Sequence, residues 1–123
     1  MKYFSEIVDW GKDALFFLED EEANFIILFN EDAPPELAEI SVLHTKTQLL
    51  CELAVGDTVI IGDKPFDITA IGDEAAHTLK ELGHCTLCFK GEPLADRPGC
   101  IMLKGENPLL KQDIQKGHVI EIH

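Results

Sequence analysis

Gly56-Asp57-Thr58-Val59-Ile60-Ile61-Gly62-Asp63-Lys64-Pro65-Phe66-Asp67-Ile68-Thr69-Ala70-Ile71-Gly72-Asp73 sets two apolar runs between three Gly-Asp pairs. Short runs rich in β-branched residues and bounded by turn formers are the signature of strands, because branched side chains suit a pleated surface and Gly-Asp suits a tight reversal. Thr58 to Ile61 and Lys64 to Ile71 therefore predict the two arms of a hairpin. The aspartates belong to the turns; they lack the alternating oxygen ligands and distal Glu of a calcium loop.

Beyond this stretch toward the C-terminus, Ala75, Leu79 and Leu82 recur at helical spacing, with Asp73 placed to cap the first turn and Gly83 to end the last. A helix over Asp73 to Gly83 is the clearest single element. Strands follow at His84 to Phe89, Cys100 to Lys104 and Val119 to Ile122, with a polar loop from Gly91 to Gly99. Toward the N-terminus, Lys2 to Trp10 and Asn24 to Phe29 predict strands, and Ala14 to Glu22 fits no single period. Pro34 and Pro35 force a connection, with a helical turn at Glu36 to Glu39. Ile40 to Thr45 predicts a strand that places Val42, His44 and Lys46 on one face, and Leu49 to Val55 is a further apolar piece. The sum is a mainly β chain, one barrel-like domain over residues 1–123, with seven or eight short strands and one short helix. Closure follows because so many short strands would otherwise expose their edges.

Composition limits the function classes. Ten Lys and Arg against 23 Asp and Glu give a net charge of −13, which repels nucleic acid and anionic membranes and attracts a partner with a basic face. The first ten residues carry Lys2, Glu6 and Asp9 and so lack a signal-peptide core, and no apolar run reaches membrane-spanning length. A soluble cytoplasmic protein without membrane insertion is the expectation. Cys51, Cys85, Cys88 and Cys100 are too few for a secreted disulfide scaffold and are expected to be reduced thiols.

Two clusters could carry chemistry. In Leu43-His44-Thr45-Lys46-Thr47 an imidazole is flanked by hydroxyls and an ammonium, the groups a phosphoryl dianion uses. A neutral imidazole offers a lone pair to phosphorus, which makes His44 the candidate nucleophile and Thr45, Lys46 and Thr47 the candidate phosphate-positioning groups. The same pattern also fits a partly exposed strand histidine with no chemical role. In His84-Cys85-Thr86-Leu87-Cys88, the Cys-x-x-Cys unit follows a helix instead of opening one, and no second ligand pair stands at zinc spacing. On a strand the two cysteines point to opposite faces, so a metal or redox module is the weaker reading. His84, just past the helix, is placed to bond its last carbonyls.

Two segments resemble the glucitol/sorbitol-specific enzyme IIA family of the bacterial sugar phosphotransferase system. One runs from Phe29-Asn30-Glu31-Asp32-Ala33-Pro34 to Leu43-His44. The other holds Ala70-Ile71-Gly72, Glu81-Leu82-Gly83-His84, Thr86-Leu87, Phe89, Gly91 and Pro98-Gly99. The resemblance implies a phosphotransferase component carrying phosphate on His44 through Nε2, with the phosphocarrier HPr in its phosphorylated form as donor. The acceptor is a cysteine of the IIB portion of a IIB/IIC membrane sugar transporter. No cofactor and no metal is implied. Lys46 stands where the family commonly has a second histidine, and Cys85 and Cys88 replace commoner residues. A stand-alone regulatory or scaffolding relative, binding the same partners without onward transfer, is the alternative in another class.

Overall fold

The computed structural model describes Met1–His123. The hairpin forms where its sequence places it: β4 (Thr58–Ile61) and β5 (Lys64–Ile71) pair antiparallel, with Ile61 opposite Lys64. Gly62 takes the connection at φ 64°, a left-handed conformation in which a side chain would be strained.

The remaining strands are β1 (Tyr3–Trp10), β2 (Phe25–Asn30), β3 (Val42–His44), β6 (Cys85–Cys88), β7 (Cys100–Lys104) and β8 (Val119–Ile122). They form a closed barrel in the order β1-β3-β2-β6-β7-β5-β4-β8, with β8 hydrogen-bonded to both β4 and β1. Closure leaves no free edge, as the shortness of the strands demanded. Two neighbouring pairs, β2 with β3 and β6 with β7, run parallel. A parallel pair requires a crossover, and each has one: residues 31–41 for the first and 89–99 for the second.

The barrel is filled by the inward residues of every strand, among them Tyr3, Ile7, Ile26, Leu28, Val42, Val59, Ile61, Phe66, Ile68, Leu87, Ile101, Leu103, Ile120 and Ile122. A bulge between Ile68 and Ala70 shifts the register of β5 against β7. Ala70 then joins Cys88 and Met102 in a smaller apolar cluster outside the barrel, with Phe25 and Ala95 against it.

The one expected helix forms, and the helical turn expected at Glu36 to Glu39 begins at Pro35. Single turns form at α1 (Phe16–Glu19) and α2 (Pro35–Ala38) besides α3 (Ala75–Leu82), and a 3₁₀ turn spans Lys111–Asp113. The undecided Ala14 to Glu22 becomes a helical turn because Ala14 and Leu18 are buried one turn apart in the core. Leu49 to Val55 forms no strand; it runs irregularly, with Leu49 and Leu53 packed on the core. Asp73 does not cap α3: the N-cap is Glu74, with no side-chain hydrogen bond.

The C-terminal end of α3 behaves as its sequence dictates. Gly83 adopts φ 62°, and its N–H reaches the Leu79 carbonyl while the His84 N–H reaches Thr78. Two carbonyls that a helix end leaves without partners are thereby satisfied. Ala75 and Leu79 are buried, which ties α3 to the barrel and brings the Gly83 turn over the end of β3.

Candidate functional site

His44 is the last residue of β3 and lies between two other strands, opposite Ile7 of β1 and in parallel register with Asn30 of β2. Strand alternation turns Val42 and His44 inward and leaves Leu43 half-buried. The imidazole is 0% exposed, against the expectation of a partly exposed strand histidine. Its ring meets the ring of Tyr3 edge-on, with centroids 6.1 Å apart at 72°.

Both ring nitrogens face backbone carbonyls. Nδ1 lies 3.0 Å from the Thr45 oxygen and Nε2 lies 2.8 Å from the Gly83 oxygen. Carbonyls only accept, and a neutral imidazole owns one N–H, so it donates to one of them and turns a lone pair on the other. The imidazolium would satisfy both. Burial opposes it: loss of solvation lowers the His44 pKa below its usual value, outweighing the Gly83 and Thr45 carbonyls and the Glu31 carboxylate, which raise it. Burial therefore favours the neutral ring, which can carry its proton on either nitrogen. With the proton on Nδ1, donated to Thr45, the lone pair of Nε2 points at the α3–β6 turn.

Of the other residues that sequence placed around His44, Thr45, Lys46 and His84 have partners elsewhere. The Thr45 oxygen Oγ1 accepts the Glu6 N–H at 3.0 Å, and the Thr45 N–H donates to the Glu6 carbonyl. Lys46 does not share the inward face of His44, because β3 ends at His44; it is exposed and ion-paired with Asp32 at 2.7 Å. Thr47 is half-buried beyond the strand. The His84 side chain does not bond the helix carbonyls, which only its backbone N–H reaches; its Nδ1 lies 3.1 Å from the Leu28 carbonyl of β2, and its ring packs on Phe29 at 4.8 Å.

Two residues near His44 were not among the sequence candidates: Gly83, whose carbonyl covers Nε2, and Asn30, beside both. A Cβ placed on Gly83 would fall 2.0 Å from Asn30 Oδ1 and 2.9 Å from His44 Cε1. Gly83 was legible as a helix end and Asn30 only as part of a family-like segment. Nothing local signalled that chain closure sets them against His44, 39 residues from Gly83 in sequence.

The cysteines separate as strand geometry requires. Cys85 faces the main core, whereas Cys88 faces the outer cluster, and all four cysteines are free thiols. Burial pushes the Cys85 thiol up to about 12 and the Cys100 thiol up to about 11, so neither is a ready thiolate. A cleft of about 550 Å³ separates residues 49–53 from Ala76, His77 and Lys80 of α3. His44 does not line it.

Comparison with known proteins agrees with this architecture. The family model described as "PTS system glucitol/sorbitol-specific IIA component" matches residues 2–121. The glucitol/sorbitol-specific EIIA components of Escherichia coli (strain K12) and Shigella flexneri are each 34% identical over 119 residues, covering 97% of this chain and 92% of those proteins. The crystal structure of a PTS system IIA component from Enterococcus faecalis V583 superposes with a TM-score of 0.77 at 27% identity, covering 97% of this chain and 98% of that one. No helix is long and apolar enough to cross a membrane. The chain belongs to the glucitol/sorbitol-specific IIA family of the sugar phosphotransferase system and is a phosphotransferase component.

Proposed function

We propose that this chain is a single-domain cytoplasmic phosphoryl carrier. It accepts a phosphoryl group from phospho-HPr on Nε2 of His44 and passes it to a IIB cysteine of a hexitol transporter. The observation that carries the assignment is the pair of ring contacts: the Thr45 carbonyl can hold the proton on Nδ1, and one backbone carbonyl covers Nε2.

In the transfer step the Nε2 lone pair forms a new N–P bond as the P–N bond of the donor phosphohistidine breaks. The electron pair of the broken bond stays on the departing imidazole, and the Nδ1 proton stays on His44. No acid or base is consumed, so catalysis reduces to positioning and charge stabilisation. The closed form cannot react, because a fully buried nitrogen meets no partner protein. Transfer requires the Gly83 turn to lift from Nε2, which exposes the edge of the ring; with the proton on Nδ1, Nε2 donates nothing to the Gly83 carbonyl, so lifting the turn breaks no ring hydrogen bond.

Incubation with phosphoenolpyruvate, enzyme I and HPr is expected to add one acid-labile phosphate, and His44→Ala is expected to add none. Labelling of His44→Ala to the native level overturns the assignment. One observation favours a second reading: His84 is only half-buried, and its Nδ1 is the ring nitrogen held by Leu28. If His84→Gln abolishes labelling while His44→Ala retains it, the phosphate belongs to His84.

A further inference from the structure

We propose that Asn30 grips the phosphoryl group on His44 by donating its side-chain amide N–H to a phosphoryl oxygen, a role that rests on His44 being the acceptor. Asn30 ends β2 where His44 ends β3, and the two are register partners in the parallel pair. Its amide abuts Gly83 at the point where Gly83 abuts the Cε1 edge of the imidazole. When the Gly83 carbonyl leaves Nε2, the incoming phosphoryl group enters the space between that turn and Asn30. The carboxamide then faces it, and a half-turn of the amide exchanges its oxygen for its NH₂.

The neighbouring side chains are turned toward other partners or are of the wrong sign. The Thr45 hydroxyl oxygen is held on β1, and the Lys46 ammonium is paired with Asp32 on the surface. Glu31, the next charge along the chain, is acidic, as is its neighbour Asp32. A carboxamide suits a carrier for a chemical reason. It orients the phosphoryl oxygens by a charge-assisted hydrogen bond, yet adds no full charge that would hold the group against onward transfer.

The test measures transfer from phospho-HPr to three variants, with melting curves to confirm folding. Asn30→Ala is expected to slow transfer about 10- to 100-fold, the worth of one hydrogen bond to a charged group. Asn30→Asp, which swaps the donor for a repelling carboxylate, is expected to be slower than Asn30→Ala, and Asn30→Ser, which keeps a short donor, to be faster. The ³¹P resonance of the phosphohistidine is expected to move in Asn30→Ala, a change that a purely structural role would not produce. If Asn30→Ala fails to fold, the order of Asn30→Ser and Asn30→Asp decides. Label on His44 at rates within twofold of native in all folded variants, with an unmoved resonance, overturns the role of Asn30 and leaves His44 standing. Native label on another residue overturns both.

Discussion

At the scale of single residues, His44 and Gly83 form one device. A neutral buried imidazole makes stability depend on pH. The His44 pKa is lowered on folding, mainly by desolvation, so below about pH 6.5 the unfolded chain binds a proton that the folded chain refuses. The contribution of His44 is therefore fully present above the unfolded value and is lost as pH falls through the lower folded one. Its slope is at most about 1.4 kcal/mol per pH unit. The gap in unfolding free energy between native protein and His44→Gln is expected to shift in favour of the variant between pH 7 and pH 5 in urea titrations. A gap that stays constant with pH contradicts the burial argument. Gly83→Ala adds a side chain at φ 62°, worth about 1–2 kcal/mol from the backbone alone. It also places a Cβ 2.0 Å from Asn30 Oδ1, so the total loss is expected to be larger. Truncating that neighbour with Asn30→Ala should recover the excess. A double-mutant cycle by chemical denaturation reads the coupling, and strict additivity would mean that the two residues do not press on each other.

At the scale of elements, the proposed transfer requires the turn between α3 and β6 to move. The Gly83 and His84 amides are bonded to Leu79 and Thr78 in the closed form. Phosphorylated protein is expected to exchange these two amides faster than unphosphorylated protein, while the amides of β4 and β5 hold their rates. Equal protection in the two forms would count against a lifting turn. The cysteines of β6 and β7 give an independent check on packing. Cys51 is exposed, whereas Cys85, Cys88 and Cys100 are buried. A disulfide-exchange reagent at pH 8 is expected to titrate one thiol rapidly in the native protein and four after denaturation. Two or more fast thiols would place β6 or β7 nearer solvent than the barrel allows.

At the scale of the whole molecule, the barrel and the charge divide the work. Closure through β8 buries the strand edges and gives His44 a fixed address at one end of the cylinder. The net charge of −13 gives the molecule a negative field, which in the proposed transfer would draw a basic partner. Transfer from HPr is expected to slow about tenfold as NaCl rises from about 50 to about 500 mM, because screening shortens the reach of the field. The final extent of labelling should not change. A rate indifferent to salt would assign the charge to solubility alone.

Sequence by itself determined the elements whose causes are local. The Gly62-Asp63 hairpin, the ends of β7 and β8 and the Gly83 stop of α3 all follow from turn chemistry and periodicity acting over a few residues. Its family-like segments also marked His44. Local pattern was insufficient where packing decides: at Ala14 to Glu22, where burial of Ala14 and Leu18 selects a helical turn, and at Leu49 to Val55, where Leu49 and Leu53 reach the core without a strand while Leu50 and Val55 stay exposed. It failed at Lys46 too, because alternation holds only while the strand continues, and β3 stops at His44. Only the tertiary structure decided what surrounds the imidazole. The Gly83 carbonyl and the Tyr3 ring come from elements far apart in the chain and meet at His44 because the barrel closes, with the Asn30 amide set against Gly83. That closure covers the His44 imidazole, a property set by contacts across the barrel and so absent from any local stretch of sequence.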